Sequence, residues 1–529
     1  MLVLFLSLTA AILMLFYIVR TSSKNFDHWK KQGAKHLKPL PLVGNMLPIV
    51  TNWTSSAEQI RNLYNAFPHE RYLGMFQFAK PIRIIRDPAL IKDITIKHFE
   101  HFVDHSGFVA TGVEPLWDKG LFASHGERWR NLRRTLSPAF TSSKMRSMFI
   151  LMDECATQLI NYFEGQNATI IELDVKDLFA RYTNDVIATT AFGIKCDSFK
   201  SKNNEFLSAG KELADFSGLR KFKVMLYAHP TISKLLNIRM IPDEVALFFR
   251  KIIDETVRLR EKNKTVRPDL IHLMMLSRKG KLKYEEFVSK DGFAVVEESD
   301  VGKTGNSPNY LSNEDITAQV LVFFLGAYDT VSSLIAFVAY ELAINPTIQK
   351  RLRQEIRKFG KRSDDDITYE NLLEIKYLDM VITEMLRKWP PAIRLDRKCT
   401  KAFKIEPERS GEALVQLKEG DICWIPVYGI HMDPRYYPNP EVFDPERFSE
   451  DNVDNVKSAT YLPFGIGPRN CIGSRFALLE TKIVLYKLLL EFEFVATEKT
   501  QIPIKIKKNT AALLPEQGFH IGFKRNPLF

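Results

Sequence analysis

The residue best placed to do chemistry in this chain is a cysteine at the mouth of a helix. Cys471 lies in Phe464-Gly465-Ile466-Gly467-Pro468-Arg469-Asn470-Cys471-Ile472-Gly473. Three glycines and a proline there dictate a tight loop. An apolar helical run, Phe476 to Leu490, follows at once. A cysteine in that position meets the positive end of the helix dipole and free backbone N–H groups, and both favour thiolate over thiol. The plain alternative is an inert, buried cysteine. The other cysteines, Cys155, Cys196, Cys399 and Cys423, are widely spaced and form no C-x-x-C pair. That argues against zinc, a redox dithiol or a disulfide framework, and fits a reducing cytosol.

A second constellation is Gly326-Ala327-Tyr328-Asp329-Thr330, inside the long apolar run Ser312 to Asn345. Ser312 and Asp315 predict a capping box at its start, and Val320 to Leu325, apolar on nearly every face, predicts a buried helix. A Thr330 hydroxyl can bond back to the carbonyl four residues earlier and bend the helix. Asp329 among apolar neighbours reads as a buried charge, which is costly without a partner or a purpose. Further polar residues recur in suggestive patterns: Glu384-x-x-Arg387, Phe443-Asp444-Pro445-Glu446-Arg447-Phe448, and Trp129-x-x-x-Arg133, whose indole and guanidinium are both donors. Arg397 follows Pro390-Pro391, and His105 lies in a loop.

The Cys471 segment resembles the haem-binding signature of cytochrome P-450, F-x-x-G-x-R-x-C-x-G, and Phe464, Gly467, Arg469, Cys471 and Gly473 occupy every fixed position. The resemblance implies haem b as cofactor, Cys471 as iron ligand and Phe464 as shield of the sulfur. It assigns Arg469, Trp129, Arg133, Arg397 and, as a weaker candidate, His105 to the propionates. Glu384, Arg387 and Arg447 match a structural triad. Gly326 to Thr330 is similar to the family's oxygen-activating A-G-x-[DE]-T, with Thr330 as hydrogen-bond donor and Asp329 as proton relay. The Ala-Gly order is inverted, which puts the shape of that groove in question. In flavour the chain is similar to insect microsomal families 6 and 9, relatives of vertebrate drug-oxidising family 3. The implied function is an NADPH-driven monooxygenase fed by cytochrome P-450 reductase, with cytochrome b5 as an optional further partner. A haem-thiolate isomerase or dehydratase acting on peroxides is the alternative, and a non-catalytic haem or lipid carrier a third. The acid–alcohol pair argues for oxygen activation.

These residues need a scaffold. The 529 residues are 45% hydrophobic and 26% charged, enough for one large core without bulk disorder. The net charge of +11 is spread along the whole chain, with no dense stripe for nucleic acid. Helices are expected near 55–65, 143–164, 170–190, 242–263, 313–343, 345–360 and 371–388. Strands are expected near 71–86, 392–404, 415–426 and 515–524, and a polar surface loop at 278–311. The fold class is therefore mainly α with small β-sheets, the cytochrome P-450 fold by resemblance, preceded by one N-terminal transmembrane helix. Met1 to Val19 carries no charge. As a helix it spans roughly 28 Å against a bilayer core of about 30 Å. Arg20, Lys24, Lys30 and Lys31 follow, which keeps the body cytosolic by the positive-inside rule. The expected division is 1–21 membrane anchor, 22–45 basic linker and Pro-rich hinge, and 46–529 catalytic domain. The expected location is the cytosolic face of the endoplasmic reticulum membrane. The stretch Phe222 to Ile241 could add a second apolar membrane contact. The sequons at Asn52, Asn167 and Asn263 should then carry no glycan. Phe108, Phe323, Phe324, Ile393, Leu395 and Leu513 suggest a pocket for a lipophilic molecule.

Overall fold

The computed structural model describes residues 5, 7, 9, 19–21, 23–107, 109, 111–166, 168–201, 204–214, 233, 235, 239–282, 292–299, 301, 311–360, 367–510 and 512–525. Most of the expected anchor, most of Phe222 to Ile241, Phe108 and Asn167 lie outside them.

The centre of the molecule is the helix Asn313–Ile344. Its start is set by the capping box: Asp315 N–H donates to Ser312 Oγ at 3.1 Å and Ser312 N–H to Asp315 Oδ2 at 3.0 Å. Its second half, Leu334 to Leu342, is apolar on all sides except Glu341 and is buried throughout. Around it pack Val175–Thr190, Asp243–Asn263, Lys376–Lys388 and the helix after the cysteine, Ser474–Glu491. Among the described residues this central helix alone is long and apolar enough to cross a membrane, and it is mostly enclosed by protein. It is a core helix.

A four-stranded sheet runs in the order Tyr72–Gln77, Lys80–Ile85, Ile422–Ile425, Leu395–Lys398. Its last pairing is antiparallel and sets Arg397 opposite Cys423. This fixes Asp396 and Arg397 on a rigid edge. The basic and proline-rich segment before the body docks on the same sheet: Trp29 is 2% exposed and its indole donates to the Met75 carbonyl at 3.0 Å.

The helix expected near 371–388 is two, Tyr369–Leu373 and Lys376–Lys388, and two further expected elements come out differently. The stretch 170–190 splits into a strand, Ile170–Asp174, and a helix, Val175–Thr190. The strand pairs antiparallel with His520–Arg525, setting Ile171 against Phe523. So distant a partner leaves no local signature. The expected surface loop 278–311 is not all surface. Ala294 is 2% exposed, and the segment 292–299 reaches the cysteine loop at Glu297, whose carbonyl accepts from Asn470, while Phe293 packs on Tyr461 and Glu298 pairs with Arg133.

Candidate active site

The cysteine loop is shaped by backbone that other residues resist. Gly465 and Gly467 have φ of +78° and +73°, and a Cβ on Gly467 would stand 2.0 Å from the Thr95 carbonyl oxygen. The loop closes on itself: Asn470 N–H donates to Gly467 O at 2.9 Å and Cys471 N–H to Phe464 O at 2.8 Å. The helix begins only at Ser474, with Gly473 as its N-cap. Cys471 is thus short of the first turn. Burial pushes its thiol up, and the Gly473 N–H and the Arg133 charge offset this only in part. The expected favouring of the thiolate by the helix terminus is thus outweighed by burial in the polypeptide itself.

Three positions on these core elements face open space. Cys471 is exposed. A Cβ placed on Gly326 or on Gly473 would meet nothing within 4 Å. The inverted Gly326-Ala327 order therefore leaves the helix surface clear at Gly326. One turn on, Thr330 Oγ1 donates to the Gly326 carbonyl at 2.5 Å, the expected back-bond, while the helix continues unbroken. Asp329 departs from expectation. Its side chain is 42% exposed and ion-paired at 2.8 Å with Lys176, so it is neither buried nor unpartnered. Lys176 also donates to the Asp329 carbonyl at 3.1 Å.

Beside the loop sits a positively charged corner. Arg469 donates to the Val103 and Ser124 carbonyls, both at 2.7 Å, and its guanidinium lies 4.1 Å over the buried Trp129 ring. Its nearest acid is Asp104 at 3.6 Å. Burial, then repulsion from Arg397, drives its pKa well below the ordinary arginine value. Arg397 donates to the Asp396 and Ile466 carbonyls, and its Nε has no partner among the described residues. Burial brings it down to about 10. The Asp396 carboxylate is occupied instead by His105, at 3.1 Å, and by the Ser106 hydroxyl, at 2.6 Å. His105 also stacks on Phe122. Arg133 is engaged elsewhere too, by Glu298 and Asn470.

An accessible cysteine beside buried, under-compensated guanidiniums is the arrangement implied by the sequence resemblance, and comparison with known proteins gives the family. Residues 35–523 match the family profile described as Cytochrome P450. The chain belongs to the cytochrome P450 family. It is 43% identical to cytochrome P450 9e2 of Blattella germanica, over 97% of this chain and 96% of that protein. It is 38% identical to probable cytochrome P450 9f2 of Drosophila melanogaster, over 98% of each. It is 36% identical to cytochrome P450 6k1 of Blattella germanica, over 97% of this chain and 94% of the relative. As a cytochrome P450 it is a haem-thiolate monooxygenase of lipophilic compounds, with haem b as cofactor and a need for an NADPH-dependent reductase.

The residues present in this P450 fit that group. Arg397, with an unpartnered Nε, and Arg469, bonded mainly to backbone carbonyls, suit the propionates of haem b, and an accessible thiol suits its iron. Gly473 needs no special backbone, with φ of −95°, and its Cβ position is empty of protein atoms.

The triad expected to brace this side of the P450 assembles in full. Glu384 pairs with Arg387 at 2.7 Å, both fully buried, and with Arg447 at 3.4 Å. A residue missed in the sequence completes the link. His431 Nδ1–H donates to the Arg387 carbonyl at 3.0 Å, and its Nε2 accepts the Leu462 N–H at 2.9 Å, two residues before Phe464. Burial, reinforced by Arg387, pushes its pKa down to about 3, so the ring is the neutral donor–acceptor these bonds require. Of the expected pocket residues, Phe324 belongs to the core: it stacks on Tyr328 and meets Phe192, Phe206 and Phe249 edge-on or tilted. Half-buried Phe323 packs on Phe140. Lys176 and Glu298 were equally invisible in the sequence, each set among other charged residues and far along the chain from its partner.

Proposed function

We propose that Cys471 would ligate the haem iron as a thiolate and that Arg397, Arg469 and Trp129 would hold the propionates. What carries this reading is the proximity in one corner of buried guanidiniums bonded mainly to backbone carbonyls, next to an exposed thiol. In this reading Phe464 flanks the sulfur, Gly473 leaves room for the ring, His105 steadies Asp396 beside Arg397, and Arg133 braces the loop. Bound haem supplies reductive O–O cleavage. The polypeptide supplies the proton path: a hydroxyl proton at Thr330 Oγ1 and a carboxylate at Asp329 kept in place by Lys176. One oxygen atom of O₂ enters the substrate and the other leaves as water, with two electrons from NADPH. A peroxide-consuming isomerase or dehydratase would not need this pair. The substrate class is a lipophilic xenobiotic or an endogenous lipid or hormone, approached by apolar residues such as Ile393, Leu395 and Leu513.

Residues 1–21 are proposed as an uncleaved anchor and 46–529 as the catalytic domain on the cytosolic face of the endoplasmic reticulum. Deleting residues 2–21 should release much of the protein into the soluble fraction while haem is still incorporated. Full-length protein that washes off membranes in carbonate, or glycan on Asn52, Asn167 or Asn263, would contradict this topology.

The reductase is proposed to dock on the cysteine-loop side, near Arg128, Arg130, Arg134, Lys144 and Arg146. Several of these charges are already paired, Arg130 with Glu100 at 2.7 Å and Arg128 with Asp315 at 3.5 Å. Their net attraction for an acidic partner is correspondingly reduced. Reversing both Arg130 and Arg134 to glutamate should slow electron transfer by roughly tenfold, and salt should weaken wild-type coupling. Rates indifferent to both changes would place docking elsewhere.

A further inference from the structure

We propose that Glu298 is a positioning residue for the cysteine loop, acting through Arg133 and Asn470; the proposal rests on the reading of Cys471 as the iron ligand. The segment Gly292–Ser299 is fastened at both ends. At one end Phe293 N–H donates to Asp379 Oδ2 at 3.0 Å, and the Phe293 ring packs on Phe448 and Tyr461, each 5.2 Å between centroids. At the other, the Glu298 carboxylate, only 8% exposed, accepts from Arg133 Nε at 3.0 Å, Arg133 Nη2 at 2.8 Å and Ser137 Oγ at 2.8 Å.

A guanidinium is a planar fork, so a carboxylate gripping one edge fixes where the remaining donors point. Here they point at Asn470. Arg133 Nη1 donates to the Asn470 carbonyl at 2.8 Å and Nη2 to its side-chain oxygen at 2.6 Å. Asn470 in turn donates from Nδ2 to the Glu297 carbonyl at 2.9 Å. The Asn470 carbonyl belongs to the peptide joined to Cys471, so Glu298 orients, through one intermediary, the backbone that carries the sulfur.

Charge points the same way. Arg133, Arg397 and Arg469 are three buried guanidiniums around one loop. Haem b brings two carboxylates. Asp104 stands 3.6 Å from Arg469, and Glu298 is the carboxylate paired with Arg133, at 2.8 Å.

The test uses the haem-loaded protein and compares Glu298→Gln and Glu298→Ala with wild type. Glu297→Ala is the control, because Glu297 contributes only its backbone carbonyl. Amide hydrogen exchange in peptides covering 464–473 should speed up by about tenfold or more in both Glu298 variants, the effect of losing a buried charge-assisted bond. It should be unchanged in the control. With haem content retained, the reduced-CO band should convert over time to a shorter-wavelength form as the loop loses its hold. Glu298→Gln keeps the shape of the side chain and stays informative where Glu298→Ala fails to fold. Exchange in 464–473 no faster than wild type, or faster exchange confined to 292–299, would overturn the proposal. So would tighter haem binding in Glu298→Gln, since Arg133 would then serve a propionate directly. A normal reduced-CO band in Cys471→His would instead sink the ligand reading, whatever the Glu298 variants do.

Discussion

Replacing Thr330 by alanine is expected to uncouple the enzyme rather than silence it. NADPH consumption should continue, hydrogen peroxide should rise, and product per NADPH should fall severalfold or more. In the structure the Thr330 hydroxyl proton is committed to the Gly326 carbonyl, at 2.5 Å, on a stretch of helix that is open at Gly326. A hydroxyl carries one proton and two acceptor sites, so Thr330 can pass that proton outward only by exchanging its partner. Removing it leaves electron delivery intact and takes away the positioned proton donor. Losing one such donor at developing charge typically costs about 10²–10³ in rate, and here peroxide release competes with productive chemistry. Thr330→Ser keeps the hydroxyl and should keep most of the coupling. Asp329→Asn should slow turnover overall, because it weakens both the relay and the pairing with Lys176. If Thr330 only packs the helix, Thr330→Ala lowers stability and leaves the ratio of product to NADPH unchanged.

What could be read in the sequence was what neighbouring residues encode. The capping box of Ser312 and Asp315 spans four residues, and the cysteine loop ten. In both, local backbone demands restrict the residue types, so pattern and structure agree. The back-bond from Thr330 to Gly326 follows from helix geometry in the same way. Contacts that join distant segments left no such trace. Asp329 was expected to be a buried charge because its sequence neighbours are apolar. Lys176, on another helix, meets it at the surface of the core instead. Ile170–Asp174 looked like the first turn of a helix, and its pairing with a strand some 350 residues away could not be inferred from periodicity. Glu298 lay in a stretch whose polar composition suggested solvent, although it is among the most enclosed carboxylates near the loop. Arg133 shows the same limit from the other side. Its donor chemistry was evident, but which acceptors it would find depended on Glu298 and Asn470.

Electrostatics also sharpened a sequence argument that was too simple. Glycines and a following helix suggest that the fold favours the Cys471 thiolate. Burial outweighs both the Gly473 N–H and the Arg133 charge and holds the thiol above its ordinary value in the polypeptide alone. The ligand assignment is directly accessible to spectroscopy. A thiolate bound to iron donates electron density that a neutral imidazole cannot match. The deciding measurement is the reduced-CO difference spectrum of Cys471→His beside wild type, with haem content determined independently. Wild type is expected to show the band at about 450 nm that thiolate ligation gives, and the variant to bind haem, lack that band and form no product. A wild-type spectrum from Cys471→His would contradict the assignment of Cys471 and with it the account of the site.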